Sequence, residues 1–174
     1  MKYIDIANPA ILEQLKENNI DISNFEVTNG EYVDIRKFIK ELTPFEIKEE
    51  PMYRYESKIK DNNIIINSCN NEDTKRFLIA YEFVKTLSKT TKQENDGFTG
   101  LNRFLQSFLG KQHATSLLLP DDLRDKLIKQ IIREEGFENK VITDSIKRII
   151  VRKLSEKAII LIAIAISKAE RYQF

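Results

Sequence analysis

The residues of this chain with the best claim to chemistry are Tyr81, Glu82 and Lys85, in the run RFLIAYEFVK at 76–85. If that run is helical, Tyr81 and Lys85 stand one turn apart on the same face and Glu82 lies beside them. A carboxylate held in this way can serve as a general base, and a neighbouring ammonium can pair with it. Acting alone, a positioned base contributes on the order of 10²–10⁴-fold, far short of peptide hydrolysis without a Lewis acid. His113 is the only histidine, and Cys69 the only cysteine. One histidine is a poor metal site, since zinc wants three or four N, S or O ligands at defined spacing. Cys69 has no partner for an internal bridge and nothing that marks it as a low-pKa thiol. We expect it, and His113, to be structural.

The spacing of the first site has a precedent. In HExxH zinc hydrolases two histidines four apart hold the metal and the intervening Glu activates its water. Here the five positions read Tyr81, Glu82, Phe83, Val84 and Lys85, so Glu remains and both histidines are absent. IIIN at 64–67, RFLIA at 76–80 and LLLP at 117–120 follow one another as similar strings do in the ImmA/IrrE metallopeptidases, and the chain resembles that family. VDIRKFIKEL at 33–42 and LSEKAIILI at 154–162 resemble its early and late helices. The resemblance spans roughly residues 30–166. It places the family's third ligand, a glutamate, on Leu109.

The resemblance therefore implies a zincin-like fold from which the chemistry has been removed. Tyr81, Lys85 and Leu109 cannot bind zinc as the family's ligands do, so the expectation is a pseudopeptidase with no catalytic residue, no metal and no cofactor. Glu82 becomes a vestigial general-base position. Tyr81, Glu82, Lys85, Leu109 and His113 become the lining of a vestigial cleft. Lys85 either supplies a fixed cation to Glu82 or closes its helix as a solvated side chain, favoured there by the helix dipole. Because family members act on helix-turn-helix repressors, the partner expected is a protein, in particular a transcriptional regulator of a phage or other mobile element. A sheet edge, NIIIN or MYRYESKI, would be able to add a partner strand.

Two other functions compete. ITDSIKRIIVRKLSEKAIILIAI has the outline of a helix-turn-helix, with Lys147, Arg148, Arg152 and Lys153 on its first helix. Its second helix continues as IILIAIAI, an apolar run that belongs in a core rather than against base edges. Direct nucleic-acid binding is not expected. The other alternative is an atypical metallopeptidase built from Glu82, His113 and Tyr81.

The elements that must position these residues follow from periodicity. Pro9 opens an amphipathic helix ending near Asn18, and a second runs from Val33 to Leu42 and stops at Pro44. The period then falls to two: FEIKEE (45–50), MYRYESKI (52–59) and NIIIN (63–67) read as strands, separated by Pro51 and an Asp61-Asn62-Asn63 turn. Asn70 or Asn71 caps the motif helix, whose apolar face is Phe77, Leu78, Tyr81, Val84 and Leu87. A polar loop fills 88–100. Helices follow at 101–116, 120–134, 143–153 and 155–171, the last capped by Ser155. The fold class is α+β, mainly helical, with a sheet of about three strands. Residues 1–28 form a helical extension without family counterpart, and 29–174 one globular unit.

Composition sets the outer limits. A chain of 174 residues can bury a core without metal or disulfide staples. With 28 basic and 27 acidic residues, net +1, it has no overall field to attract nucleic acid or an anionic membrane. The longest apolar run, AIILIAIAI at 158–166, is too short to cross a bilayer, which takes about 20 residues. No membrane partner is expected, and a single cysteine and the absence of a signal-like start suit the cytoplasm.

Overall fold

A computed structural model describes residues 1–27, 32–53, 55–87 and 100–158. The loop expected at 88–100 therefore lies outside the described residues up to 99, as do the apolar run from 159 onward and the last part of the expected helix 155–171.

The chain begins with a 3-10 turn, Tyr3–Asp5, pinned to a later segment: Tyr3 N–H donates to Phe25 O at 2.8 Å and Val27 N–H to Met1 O at 2.9 Å. Helix α1 (Pro9–Glu17) starts where Asn8 Oδ1 accepts the Ala10 N–H, with Pro9 where a missing donor does no harm. It ends in a Schellman motif: Asn19 takes φ 57°, its N–H reaches Lys16 O, and Ile20 N–H reaches Leu15 O. Helix α2 (Ile35–Leu42) begins two residues later than its apolar pattern suggested, because the Asp34 carboxylate caps the N–H groups of Arg36 and Lys37.

Strands β1 (Glu46–Glu50), β2 (Ser57–Lys60) and β3 (Asn63–Asn67) form a sheet of order β1-β3-β2, with β1 parallel and β2 antiparallel to β3. Two sequence expectations change here. NIIIN is the central strand, paired on both sides, so it offers no edge. MYRYESKI is a strand only from Ser57, because the chain leaving β1 at Glu50 must pass the end of β3 before β2 can pair on its far side. Asn67 organises that crossing: its Nδ2 donates to Met52 O at 2.9 Å, and its Oδ1 accepts from Met52 N–H at 3.3 Å and Cys69 N–H at 3.1 Å. Tyr53 and Tyr55 project from the loop into solvent.

Register puts Ile47, Ile64, Ile66, Ser57 and Ile59 on the sheet's inner face, against helix α3 (Glu72–Leu87). Of the two candidate caps, Asn71 acts, accepting the Thr74 N–H at 2.9 Å. The buried side of α3 is wider than the expected stripe and turned from it. Arg76, Phe77, Ile79, Ala80, Glu82, Phe83, Val84 and Leu87 are buried, whereas Leu78 and Tyr81 are half-buried. The reason is position: the sheet, α2 and α4 (Gly100–Leu118) all pack on this helix. A chain of edge-to-face aromatic contacts, Tyr3–Phe38–Phe83–Phe45 with Phe25 between the first two, ties the first residues to α3.

Residues 1–27 belong to this same core. Tyr3, Ala7, Ile11, Leu15, Ile22, Phe25 and Val27 are buried within it, and the fully buried Tyr3 hydroxyl donates to Leu117 O of α4 at 3.2 Å. Helix α5 (Asp121–Glu134) ends in a second Schellman motif at Gly136 (φ 67°) and packs against α6 (Asp144–Ala158). Two helices were expected where α6 stands. The helix runs unbroken through 153–155, because Lys-Leu-Ser contains neither Gly nor Pro and Ser is only mildly unfavourable inside a helix. The outline of a helix-turn-helix therefore has no turn.

Candidate functional site

Phe83, fully buried, anchors the middle of α3 and fixes the direction of its neighbour Glu82. Glu82 enters the interface between α3 and β2 and is 3 % exposed. Both of its oxygens are engaged: Oε1 accepts from the Ser57 hydroxyl at 2.7 Å, and Oε2 meets the Lys85 ammonium at 2.9 Å. A buried carboxylate without such partners would be costly. Ser57 was not singled out in the sequence. The available signal was the two-residue alternation of β2, which puts Ser57 on the inward face with Ile59, where a hydroxyl needs a polar partner.

Lys85 combines the two readings offered for it. Its ammonium pairs with Glu82 while 43 % of its side chain stays exposed, against 4 % for Glu82. It also lies 5.4 Å from the centre of the Tyr81 ring, so cation, carboxylate and aromatic face form one group. Tyr81 stacks on Phe77 one turn earlier, with centroids 6.2 Å apart and planes within 9°. Across from it, α4 presents Gly110. A Cβ there would stand 3.1 Å from Tyr81 Cε2, so the missing side chain is what lets α4 approach this ring.

The remaining two site residues are less closely joined. Leu109, next to Gly110, is half exposed. His113 engages α1 instead: its Nδ1 lies 3.3 Å from Gln14 Nε2, and burial pushes its imidazole pKa down. The five residues of the expected cleft thus divide into a coupled trio on α3, an exposed apolar neighbour on α4, and a histidine packed towards α1.

The arrangement does not fit a catalytic zinc. Lys85 brings a positive charge to the one carboxylate of the group, both Glu82 oxygens are already bonded, and Tyr81 and Leu109 offer only a phenol and an alkyl group. Among the described residues no three His, Cys, Asp or Glu side chains are grouped to hold a metal ion.

Other conspicuous charges have structural partners. Lys75 and Arg36 both contact Glu49 at 2.6 Å and, Lys75 first, hold its carboxyl below the usual range. The buried Arg76 donates to Val33 O at 2.7 Å and lies 4.7 Å from the Tyr32 ring centre, joining α3 to the start of α2. A cavity of about 780 Å³ along α5, lined in part by Asp122, Lys126, Lys129 and Arg133, includes none of the Glu82 group.

No protein-family model matches the chain, and no curated protein or solved structure is similar to it.

Proposed function

We propose that this chain is a metallopeptidase-like protein of the ImmA/IrrE type that has lost catalysis and works by binding a protein partner, a transcriptional regulator of a phage or other mobile element. The observation that carries the reading is the state of Glu82. It keeps the general-base position of the degenerate motif, yet its carboxylate is neutralised by a side chain of the same helix at 2.9 Å. A permanent ammonium stands in for a removable metal and keeps a buried carboxylate stable without supplying a water nucleophile. What remains is a surface: the half-buried Tyr81, the part-exposed Lys85 and the exposed Leu109.

The DNA-binding alternative draws no support from α6. Lys147 faces Asp144 at 3.3 Å, Arg152 faces Glu156 at 3.8 Å and Lys153 faces Glu135 at 3.3 Å, so three of its four basic residues have a nearby carboxylate. An atypical metallopeptidase is disfavoured by the direction of His113, which bonds towards Gln14.

The test is capture of partners by the tagged full chain, with partner length and bound zinc measured in the same eluate. An intact regulator, no stoichiometric zinc, and loss of the regulator on Leu109→Arg are the expected results. A cleaved regulator or one equivalent of zinc overturns the loss of catalysis, and capture unaffected by Leu109→Arg overturns the surface.

A further inference from the structure

The outer side of β2 carries more information than an unpaired edge. β2 is the last strand of its sheet, and among the described residues nothing pairs with its far side. Asn67 N–H donates to Glu56 O at 2.9 Å, so Glu56 and Asn67 form a hydrogen-bonded pair. In an antiparallel ladder such pairs alternate, which turns the N–H and C=O of Lys58 and Lys60 towards β3 and those of Ser57 and Ile59 towards the open edge. Side chains alternate as well. Lys58 and Lys60 are exposed on the outer face, while Ile59 packs towards the core on the inner one. Among the described residues neither lysine has an acidic partner.

We infer that β2 is a docking edge for an extended segment of a partner protein whose sequence alternates acidic, apolar, acidic opposite Lys58, Ile59 and Lys60. This rests on the partner-binding reading above and names the chemistry of what is bound. Three features select this occupant. The free N–H and C=O groups of Ser57 and Ile59 fit an added strand. The two unpaired ammonium groups favour carboxylates directly opposite, where opposite charges stabilise and like charges destabilise. A second copy of β2 is disfavoured, because self-pairing would set lysine against lysine. The edge also adjoins the Glu82 group, since Ser57 belongs to both.

The test uses the ¹⁵N-labelled full chain and three kinds of capped peptide: Thr-Asp-Val-Glu-Val-Thr, the same sequence with lysine in place of both acids, and the acidic peptide N-methylated at alternate residues in two isomers. The expected result is that the acidic peptide moves the Ser57 and Ile59 amides most, and that the lysine peptide binds at least tenfold more weakly. Of the two methylated isomers, only the one whose N–H groups facing β2 are intact binds as the parent does. Lys58→Glu/Lys60→Glu reverses the charge preference by a similar factor. Equal binding of acidic and lysine peptides, equal behaviour of the two methylated isomers, or shifts elsewhere in the protein would each overturn the inference. The two readings fail separately. If the peptides do not bind but the captured regulator is still lost on Leu109→Arg, the edge is wrong and partner binding stands. If the acidic peptide binds as expected but no regulator is captured, the edge stands and the regulator reading falls.

Discussion

Removing the ammonium of Lys85 should harm the protein more than removing the charge of Glu82. In Lys85→Met the carboxylate stays 3 % exposed with one neutral donor, Ser57, where it had a donor and a cation. Breaking a fully buried pair costs about 3–5 kcal/mol and breaking an exposed pair about 0.2–1 kcal/mol. Lys85 is 43 % exposed and water can partly replace it, so the cost should fall between these, about 1.5–2 kcal/mol. In Glu82→Gln the amide oxygen still accepts from Ser57 and Lys85 turns fully into water, so the loss should stay below about 1 kcal/mol. The double variant should resemble Glu82→Gln, giving a coupling as large as the Lys85→Met loss itself, about 1.5–2 kcal/mol. Urea unfolding followed by circular dichroism can resolve this. With a slope near 2 kcal/mol per M, Lys85→Met shifts the midpoint by about 0.8–1 M. If Glu82→Gln costs as much as Lys85→Met, or the coupling is under about 0.3 kcal/mol, the ammonium does not hold the carboxylate and the idea of a fixed cation fails.

Tyr3→Phe should cost about 1 kcal/mol by leaving Leu117 O without its donor, and Tyr3→Ala about 3–5 kcal/mol, both read from urea midpoints. Burial pushes the Tyr3 phenol pKa up, so the unfolded chain loses its proton first and stability should fall as pH rises above about 10, a fall that Tyr3→Phe reduces. Asn67→Ala removes three hydrogen bonds at the loop crossing and should cost about 2–3 kcal/mol, with faster amide exchange at Met52 and Cys69. Since burial lowers the His113 pKa, the unfolded state takes up its proton first. Stability should be complete above about pH 6.5 and decline as pH falls through the interval down to the native value. His113→Gln should flatten that slope in unfolding curves measured across pH.

Local pattern made the larger elements legible. Pro9, Pro44 after Leu42 and the Asp61-Asn62 turn mark boundaries through backbone chemistry that acts within a few residues, and the structure has them there, while the Asn8 cap before Pro9 was not read. Errors arose where partners are distant. NIIIN reads the same whether central or edge, since strand order depends on where the chain passes β3 after β1, and Asn67, fifteen residues from Met52, is bonded to it there. MYRYESKI alternates well, but Met52 at its start is bonded to Asn67 at the crossing, and its strand begins only at Ser57. The Glu82–Lys85 contact could be posed because both lie on one helix, whereas Ser57 arrives from another element, 25 residues away. Tyr3 was the least legible, because one aromatic residue in a short turn carries no period.

The bond between Tyr3 and Leu117 spans 114 residues, and that distance is also a time. At about 5–20 residues per second, a ribosome adds Tyr3 roughly 6 to 23 s before it adds Leu117. Through that interval Tyr3, Ile11 and Leu15 lack the α4 surface that completes their burial. The newborn segment is thus an apolar patch with a defined waiting period, and the half-made chain is the stage at which this fold is most open to chaperones, proteases and its own neighbours on a polysome.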